Sequence, residues 1–302
     1  MPVVLLVSFK VSIEVAVQSH RTSPPWIFSV AQWMQRTGIR GGHRIETLSR
    51  RVGLLDVVVS YPLERGRFVR VPLAYRGYDA HAVQSYEHAS LRHINGLVTQ
   101  LGNSVTLIDC GADIGLMSCR LVAANPSIKT VIAFEPNPVS FPYLEPNLTA
   151  LGVDARPMNV AVSDFVGRGK LTQPDHDSTD EAAFVEPNPD GSILVTTIDE
   201  LGLPPGGDIL LKIDVEGCEL AVLNGAWQTL SHSRRFVIVF EAHREQVRRS
   251  GIETSEIVRR LSELGPLDVK VTEMPDIAFD WSRPFFDQVE DTIFNVCVAK
   301  LN

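Results

Sequence analysis

Cysteine is scarce in this 302-residue chain. Only Cys110, Cys119, Cys218 and Cys297 occur, and no two of them form a C-x-x-C pair. That spacing excludes a disulfide framework and fits free thiols in a reducing compartment, so a cytoplasmic location is expected. A surplus of positive charge is also missing. With 28 Lys and Arg against 36 Asp and Glu, the net charge is −8, which excludes a general nucleic-acid binder, and no nucleic-acid partner is expected. Long apolar runs are absent as well. The opening Pro2–Val7 has no basic residue before it and is soon interrupted by Lys10 and Glu14. It reads as a leading strand, not as a signal peptide or a transmembrane segment. There is no internal repeat and no long low-complexity tract. Nor does the pyrophosphate-binding turn G-x-G-x-x-G follow the strand where it would be sought.

What is present has the balance of a globular protein: 44% apolar and 21% charged residues, in a chain long enough for one large core. The charge is uneven. Residues 1–100 hold 12 Lys and Arg against 6 Asp and Glu, a balance of +6, which leaves −14 for the remainder of a chain at −8. The basic leader is either a solvated surface or a face for a phosphorylated substrate or an anionic membrane.

The most informative stretch is Leu107-Ile-Asp-Cys-Gly-Ala-Asp-Ile-Gly115. A short apolar strand ends in Asp109, turns through Gly111 and Gly115, and opens a helix at Leu116. Glycine lets backbone N–H groups approach a ligand and takes positive φ without strain. The following helix aims its positive N-terminal end at the same place. Twenty residues after Gly115, the strand Thr130–Phe134 ends in Glu135, a carboxylate suited to ribose hydroxyls. A G-x-x-x-G turn preceded by an acid reads as a nucleoside site without a diphosphate, which S-adenosylmethionine satisfies.

Five phrases stand in fixed order: Asp109-Cys-Gly-Ala-Asp-Ile-Gly115, Phe134-Glu-Pro-Asn-Pro138, Asn159-Val-Ala-Val-Ser-Asp164, Lys212-Ile-Asp-Val-Glu-Gly-Cys-Glu219 and Phe240-Glu-Ala-His243. Together they resemble the FkbM family of S-adenosylmethionine-dependent O-methyltransferases, within the class I methyltransferases, over roughly residues 85–245. Position 113 carries Asp where that family more often shows Asn. The resemblance implies an enzyme methylating a hydroxyl of a small molecule or glycan, such as a sugar, glycolipid or polyketide-type product. It also implies that Asp109, Gly111, Ala112, Asp113 and Gly115 meet the amino-acid part of the cofactor. Glu135 then takes the ribose, Pro136 and Asn137 shape the adenine side, and Asn159 and Ala161 border the adenine.

The expected fold is α/β: a doubly wound, mostly parallel, seven-stranded Rossmann-like sheet in residues 101–302, after a mixed α/β extension in residues 1–100. Strands are expected at 105–109, 130–134, 156–160, 208–213, 236–240, 267–272 and 292–299, since apolar runs alternate with helical patterns there. Helices are expected near Val30–Thr37 and near Ala80–Thr99, the latter carrying Tyr86 and Glu87, with a strand at Arg67–Val71 between them. Leu220, Leu223, Trp227 and Leu230 fall on one helical face, as do Ile257, Leu261 and Leu264. Residues 173–191 hold six acids and no Lys or Arg, and read as a mobile polar loop or a lid. Phe279, Trp281, Phe285 and Phe286, in residues 274–290, either pack on the core or wall a substrate cleft.

Methyl transfer requires a held donor, an aligned nucleophile and a group that removes its proton. Asp214, at the end of the fourth strand, is expected to orient the acceptor hydroxyl. Glu216 either shares that task or caps the next helix. His243 is expected to act as the general base, an imidazole being able to accept a proton at neutral pH. Two carboxylates two residues apart do not define a metal site. The nearest further donors, Glu241 and His243, come from the next strand, so a divalent metal is left open. A homo-oligomer is compatible with the sequence and not required by it. Two other readings stand beside the leading one: a nicotinamide-dependent oxidoreductase, and a non-catalytic binding scaffold of methyltransferase shape.

Overall fold

Strand and helix alternate over residues 105–158 and, after a run of short strands, again over 208–271, where the apolar spacing predicts it. The computed structural model describes residues 57–72, 83, 85, 87–172 and 184–302. The expected strand at Pro2–Val7, the helix near Val30–Thr37 and Tyr86 lie outside these residues. The chain divides into two compact units, residues 1–60 with 71–76 and residues 61–70 with 77–302. Of the first unit only residues 57–60 and 71–72 are described. Residues 58–60 fall in β1 (Val58–Pro62) and 71–72 in β2 (Phe68–Pro72).

The second unit continues with α1 (His88–Val98); Glu87 before it has left-handed backbone, φ 44°, which interrupts the expected helix, and Val83 and Ser85 ahead of it are also helical. Then follow β3 (Val105–Cys110), α2 (Leu116–Ala124), β4 (Ile128–Phe134), α3 (Phe141–Thr149) and β5 (Asp154–Met158). Four short strands come next: β6 (Ala161–Val162), β7 (Gly167–Thr172), β8 (Phe184–Pro187) and β9 (Ile193–Thr196). The chain returns through β10 (Asp208–Ile213), α4 (Glu219–Asn224), α5 (Trp227–His232) and β11 (Arg235–His243). It ends with α6 (Arg244–Ser250), α7 (Thr254–Ser262), β12 (Asp268–Val271) and β13 (Ile293–Lys300).

The main sheet has seven strands in the order β12-β13-β11-β10-β3-β4-β5. The five strands from β11 to β5 run parallel, and β13 pairs antiparallel with both β11 and β12. This is the doubly wound, mostly parallel, Rossmann-like sheet expected, with every strand within two residues of its anticipated start and within three of its anticipated end. Its centre is buried on both faces, and each residue of β10 is shielded from solvent. On one face Ile108, Ile132, Ile213 and Phe240 pack with Leu223 of α4, Leu230 of α5 and Leu261 of α7. Each such side chain contributes about 1.5–3 kcal/mol through burial. On α2 every residue from Leu116 to Ala123 is buried.

Two local expectations change. The stripe from Leu220 to Leu230 is not one helix. The chain breaks after Asn224, where a Cβ on Gly225 would lie 2.0 Å from the carbonyl oxygen of Ser163. That close approach of another backbone segment is tertiary, and no local pattern encodes it. The expected loop over 173–191 also changes. Residues 173–183 lie outside the described set, but 184–187 form β8, part of a four-stranded sheet ordered β6-β9-β7-β8.

Candidate active site

The parallel strands deliver their C-terminal ends to one edge, where open α/β sheets hold ligands. At the end of β3 the chain turns through Gly111 (φ 77°), Asp113 (φ 47°) and Gly115 (φ 83°). Gly111 N and Ala112 N both donate to Phe134 O at 3.0 Å, so the turn is tied to the end of β4. A Cβ on Gly111 would sit 1.8 Å from Asp214 O, which makes glycine obligatory there. Gly115 ends the turn, and a Cβ on it would meet Leu144 Cδ1 at 2.8 Å.

Asp109 lies beneath this turn and is fully buried. Its Oδ2 accepts from Ser118 Oγ at 2.6 Å, and its Oδ1 is 3.5 Å from Lys212 Nζ. Lys212 Nζ also donates to Gly111 O (3.2 Å) and to Asp214 Oδ2 (3.1 Å). One buried ammonium thus links the ends of β3 and β10. Burial raises the Asp109 carboxyl, with Lys212 opposing it. Burial alone would lower Lys212, but the carboxylates of Asp214 and Asp109 hold it firmly protonated.

Glu135 is 7% exposed. Its Oε2 accepts from Asp113 N (2.7 Å) and its Oε1 from Asn137 N (2.8 Å). Burial pushes its carboxyl up to about 7, against the pull of these two N–H groups. Asn159 Nδ2 donates to Glu135 O at 2.7 Å, fixing the strand end from behind.

On the opposite side, Glu216 has left-handed backbone (φ 56°) and follows Asp214 into the turn. Burial, then the nearby Asp214 charge, pushes it up to about 7. The same two causes push Glu241, at the end of β11, up to about 8. Gln246 Nε2 donates to Glu216 Oε2 (2.9 Å) and to Glu241 Oε1 (3.4 Å). His243 is engaged differently. Its Nδ1 accepts from Glu245 N at 3.2 Å as the cap of α6, and burial lowers its pKa.

These groups surround a cavity of about 440 Å³, within the size range of small-molecule sites. Gly111, Ala112, Asp113, Glu135, Pro136, Asn137, Ala161, Asp214 and Glu216 all line it. Asp109, Gly115, Asn159 and His243 do not; the first three brace lining residues from behind. Sequence reasoning gave no role to Lys212, and it weighed Glu241 only as an additional metal donor. It missed the apolar wall of Phe165, Leu171, Phe184 and Val185, which comes from β7, β8 and the turn between β6 and β7. Among the described residues no three His, Cys, Asp or Glu side chains gather as a metal site, and no helix is long and apolar enough to cross a membrane. All four cysteines are free thiols. The aromatic insertion stays out of the cavity. Phe285 is fully buried, and Trp281 stacks on it with ring centroids 5.5 Å apart, so this segment packs on the core.

Residues 109–266 match the methyltransferase FkbM domain family. Over 223 residues the chain is 29% identical to the hexuronic acid methyltransferase AglP of Haloferax volcanii, a match covering 66% of this chain and 82% of that protein. Among solved structures, methyltransferase FkbM from Methylobacillus flagellatus KT aligns at 17% identity and a TM-score of 0.42. That alignment covers 64% of this chain and 44% of the solved one, so the chain spans less than half of its length. The precorrin-6y C5,15-methyltransferase from Geobacter metallireducens GS-15 aligns at 15% identity and a TM-score of 0.37, over 70% of this chain and 87% of that one.

Proposed function

The chain belongs to the FkbM methyltransferase family, and from that premise we propose that it moves a methyl group from S-adenosylmethionine to a hydroxyl of a sugar-like small molecule or glycan. The observation that carries this reading is the buried Glu135 carboxylate beside the glycine turn, facing the cavity. The residues present fit the cofactor. Each Glu135 oxygen accepts one backbone N–H, from Asp113 and from Asn137, and a carboxylate oxygen has a further lone pair for a ribose diol. Gly111, Ala112 and Asp113 would hold the amino-acid part, with Asp109 and Lys212 fixing the turn from below. Pro136, Asn137 and Ala161 would hold the adenine side. When bound, the cofactor supplies an electrophilic methyl group on a sulfonium. The chain's own residues have the remaining tasks of aligning the acceptor oxygen and removing its proton, for which Asp214, Glu216 and Glu241 line the far side of the cavity.

A sugar-like acceptor draws support from the relative named as a hexuronic acid methyltransferase. The test is incubation with methyl-labelled S-adenosylmethionine and a panel of neutral sugars, uronic acids and glycolipids, followed by mild alkali. Label that survives alkali is an ether on a hydroxyl, as proposed. Label released by alkali is an ester on a carboxyl and refutes the hydroxyl assignment. No label on any acceptor, with no binding of S-adenosylhomocysteine, refutes the reading as a whole.

A further inference from the structure

Gln246 belongs to none of the five sequence phrases, yet it is 5% exposed and its amide points between two cavity carboxylates. It sits on α6, which starts one residue after His243. The first N–H groups of a helix have no partner within it, and a side-chain acceptor at the cap fixes both their bonding and the direction in which the chain enters. His243 Nδ1 is that acceptor. One turn further on, Gln246 is thereby turned inward, where its Nε2 amide donates to both Glu216 and Glu241.

We propose that His243 is a positioning residue: it caps α6, α6 delivers Gln246 between Glu216 and Glu241, and Glu241 takes the proton of the acceptor hydroxyl. The inference rests on the hydroxyl-methylation reading above. As the acceptor oxygen bonds to the methyl carbon, the carbon–sulfur bond breaks and leaves its electron pair on sulfur. The hydroxyl proton passes to the Glu241 carboxylate and is lost to solvent when the product departs.

The surroundings of Glu241 suit it to this task. Lys212 faces it from β10, Asp214 and Glu216 from the turn after β10, Glu87 from the start of α1, and Gln246 from α6. Three of those groups are carboxylates, which favour a proton on Glu241, and Lys212 opposes them. Arg249, also on α6, binds the backbone oxygen of Glu216 and stabilises the ionised form of that neighbour. A carboxylate in such a setting is basic enough to accept a proton near neutral pH. His243, by contrast, would have to give up the cap to use Nδ1.

The experiment follows the Glu241 carboxyl by ¹³C NMR in glutamate-labelled protein, its signal assigned with Glu241→Gln. The wild-type midpoint should lie well above that of an ordinary glutamate. Gln246→Leu should raise it by at least about half a pH unit, because the carboxylate loses a donor. His243→Ala should move it the same way. His243→Asn caps a helix but cannot serve as a base near neutral pH, and it should restore the wild-type midpoint. On whichever acceptor is labelled in the transfer assay, Glu241→Gln should lower kcat by about 10²-fold or more, and His243→Asn should recover most of the loss seen in His243→Ala. An unmoved midpoint in Gln246→Leu overturns the positioning link, and Gln246→Asn gives the same readout if the leucine variant does not fold. His243→Asn as inactive as His243→Ala, or an undiminished kcat in Glu241→Gln, returns the base role to the imidazole. Calorimetry with S-adenosylhomocysteine separates the two levels. Every variant should bind it like wild type, whereas wild type failing to bind it would remove the functional reading itself.

Discussion

Replacing Glu135 by Gln removes one ionisable group from a nearly sealed position and keeps its shape. The folded protein pushes this carboxyl from 4.5 up to about 7, because burial penalises the charge more than the Asn137 and Asp113 N–H groups stabilise it. That displacement corresponds to about 3 kcal/mol. Its sign follows from the direction. A carboxyl whose folded value is raised contributes its stability in full below about pH 4.5, and that contribution is lost as the pH rises through about 7. The glutamine variant has no such ionisation. Its stability relative to wild type should therefore improve by about 3 kcal/mol between pH 4.5 and pH 8. At the acid end it should be the weaker protein, since its NH₂ group must face one of the two N–H donors, a mismatch costing about 1–3 kcal/mol. Urea unfolding at pH 5, 6, 7 and 8 at fixed ionic strength measures this difference directly.

The same substitution reports on the proposed cofactor. A ribose diol donates to the ionised carboxylate, so binding should pull the Glu135 pKa back down. Wild-type affinity for S-adenosylhomocysteine should then rise by up to about tenfold per pH unit below pH 7 and level off above it. The variant should bind weakly, having lost hydrogen bonds to a charged group worth about 1.5–3 kcal/mol each, and without that slope. Parallel stability curves for the two proteins would refute the burial argument. Equal, pH-parallel affinities in a folded variant would take Glu135 out of the cofactor site.

Lys212→Met should destabilise by about 3–5 kcal/mol, because it leaves Asp109 buried without its cation; adding Asp109→Asn should recover part of the loss, and strictly additive effects in urea unfolding would show that the pair is not coupled. Gly111→Ala should abolish S-adenosylhomocysteine binding and lower Tm, since its Cβ has only 1.8 Å to Asp214 O; normal binding by calorimetry would show that the turn is free to shift. Trp281→Ala should lose stability, by less than the ~3–5 kcal/mol of a fully buried aromatic, with unchanged S-adenosylhomocysteine affinity. An altered acceptor KM at full stability would restore the cleft-wall alternative for residues 274–290.

Legibility in the sequence follows from whether a feature is built locally. The strand end, turn and helix start from Leu107 to Leu116 are contiguous, so their apolar run, acid and glycines announce both a fold and a ligand edge. The same holds for Glu135 at the end of β4 and Asp214 at the end of β10. The small sheet was not legible: β7 reads Gly-Arg-Gly-Lys-Leu-Thr, with only Gly169 fully buried, so no alternation marks it as a strand. Its contribution to the cavity wall, through Leu171, Phe184 and Val185, went unseen with it. Gly225 breaks a continuous helical stripe for a reason that lies 62 residues earlier, at Ser163. The acceptor side is the extreme case. As proposed, it is assembled from the turn after β10, the end of β11 and the third residue past a helix cap, and Gln246 carries no local sign that its amide will lie between two carboxylates. His243 stood out because it closes a phrase, and a histidine in a phrase suggests chemistry. Its ring nitrogen, however, is spent on Glu245 N, so on the positioning proposal what the phrase encodes there is the entry angle of α6. The nucleoside half of such a site can therefore be read from one strand and its turn. The half proposed to activate the acceptor has to be read from the packing of α6 against the β10 turn.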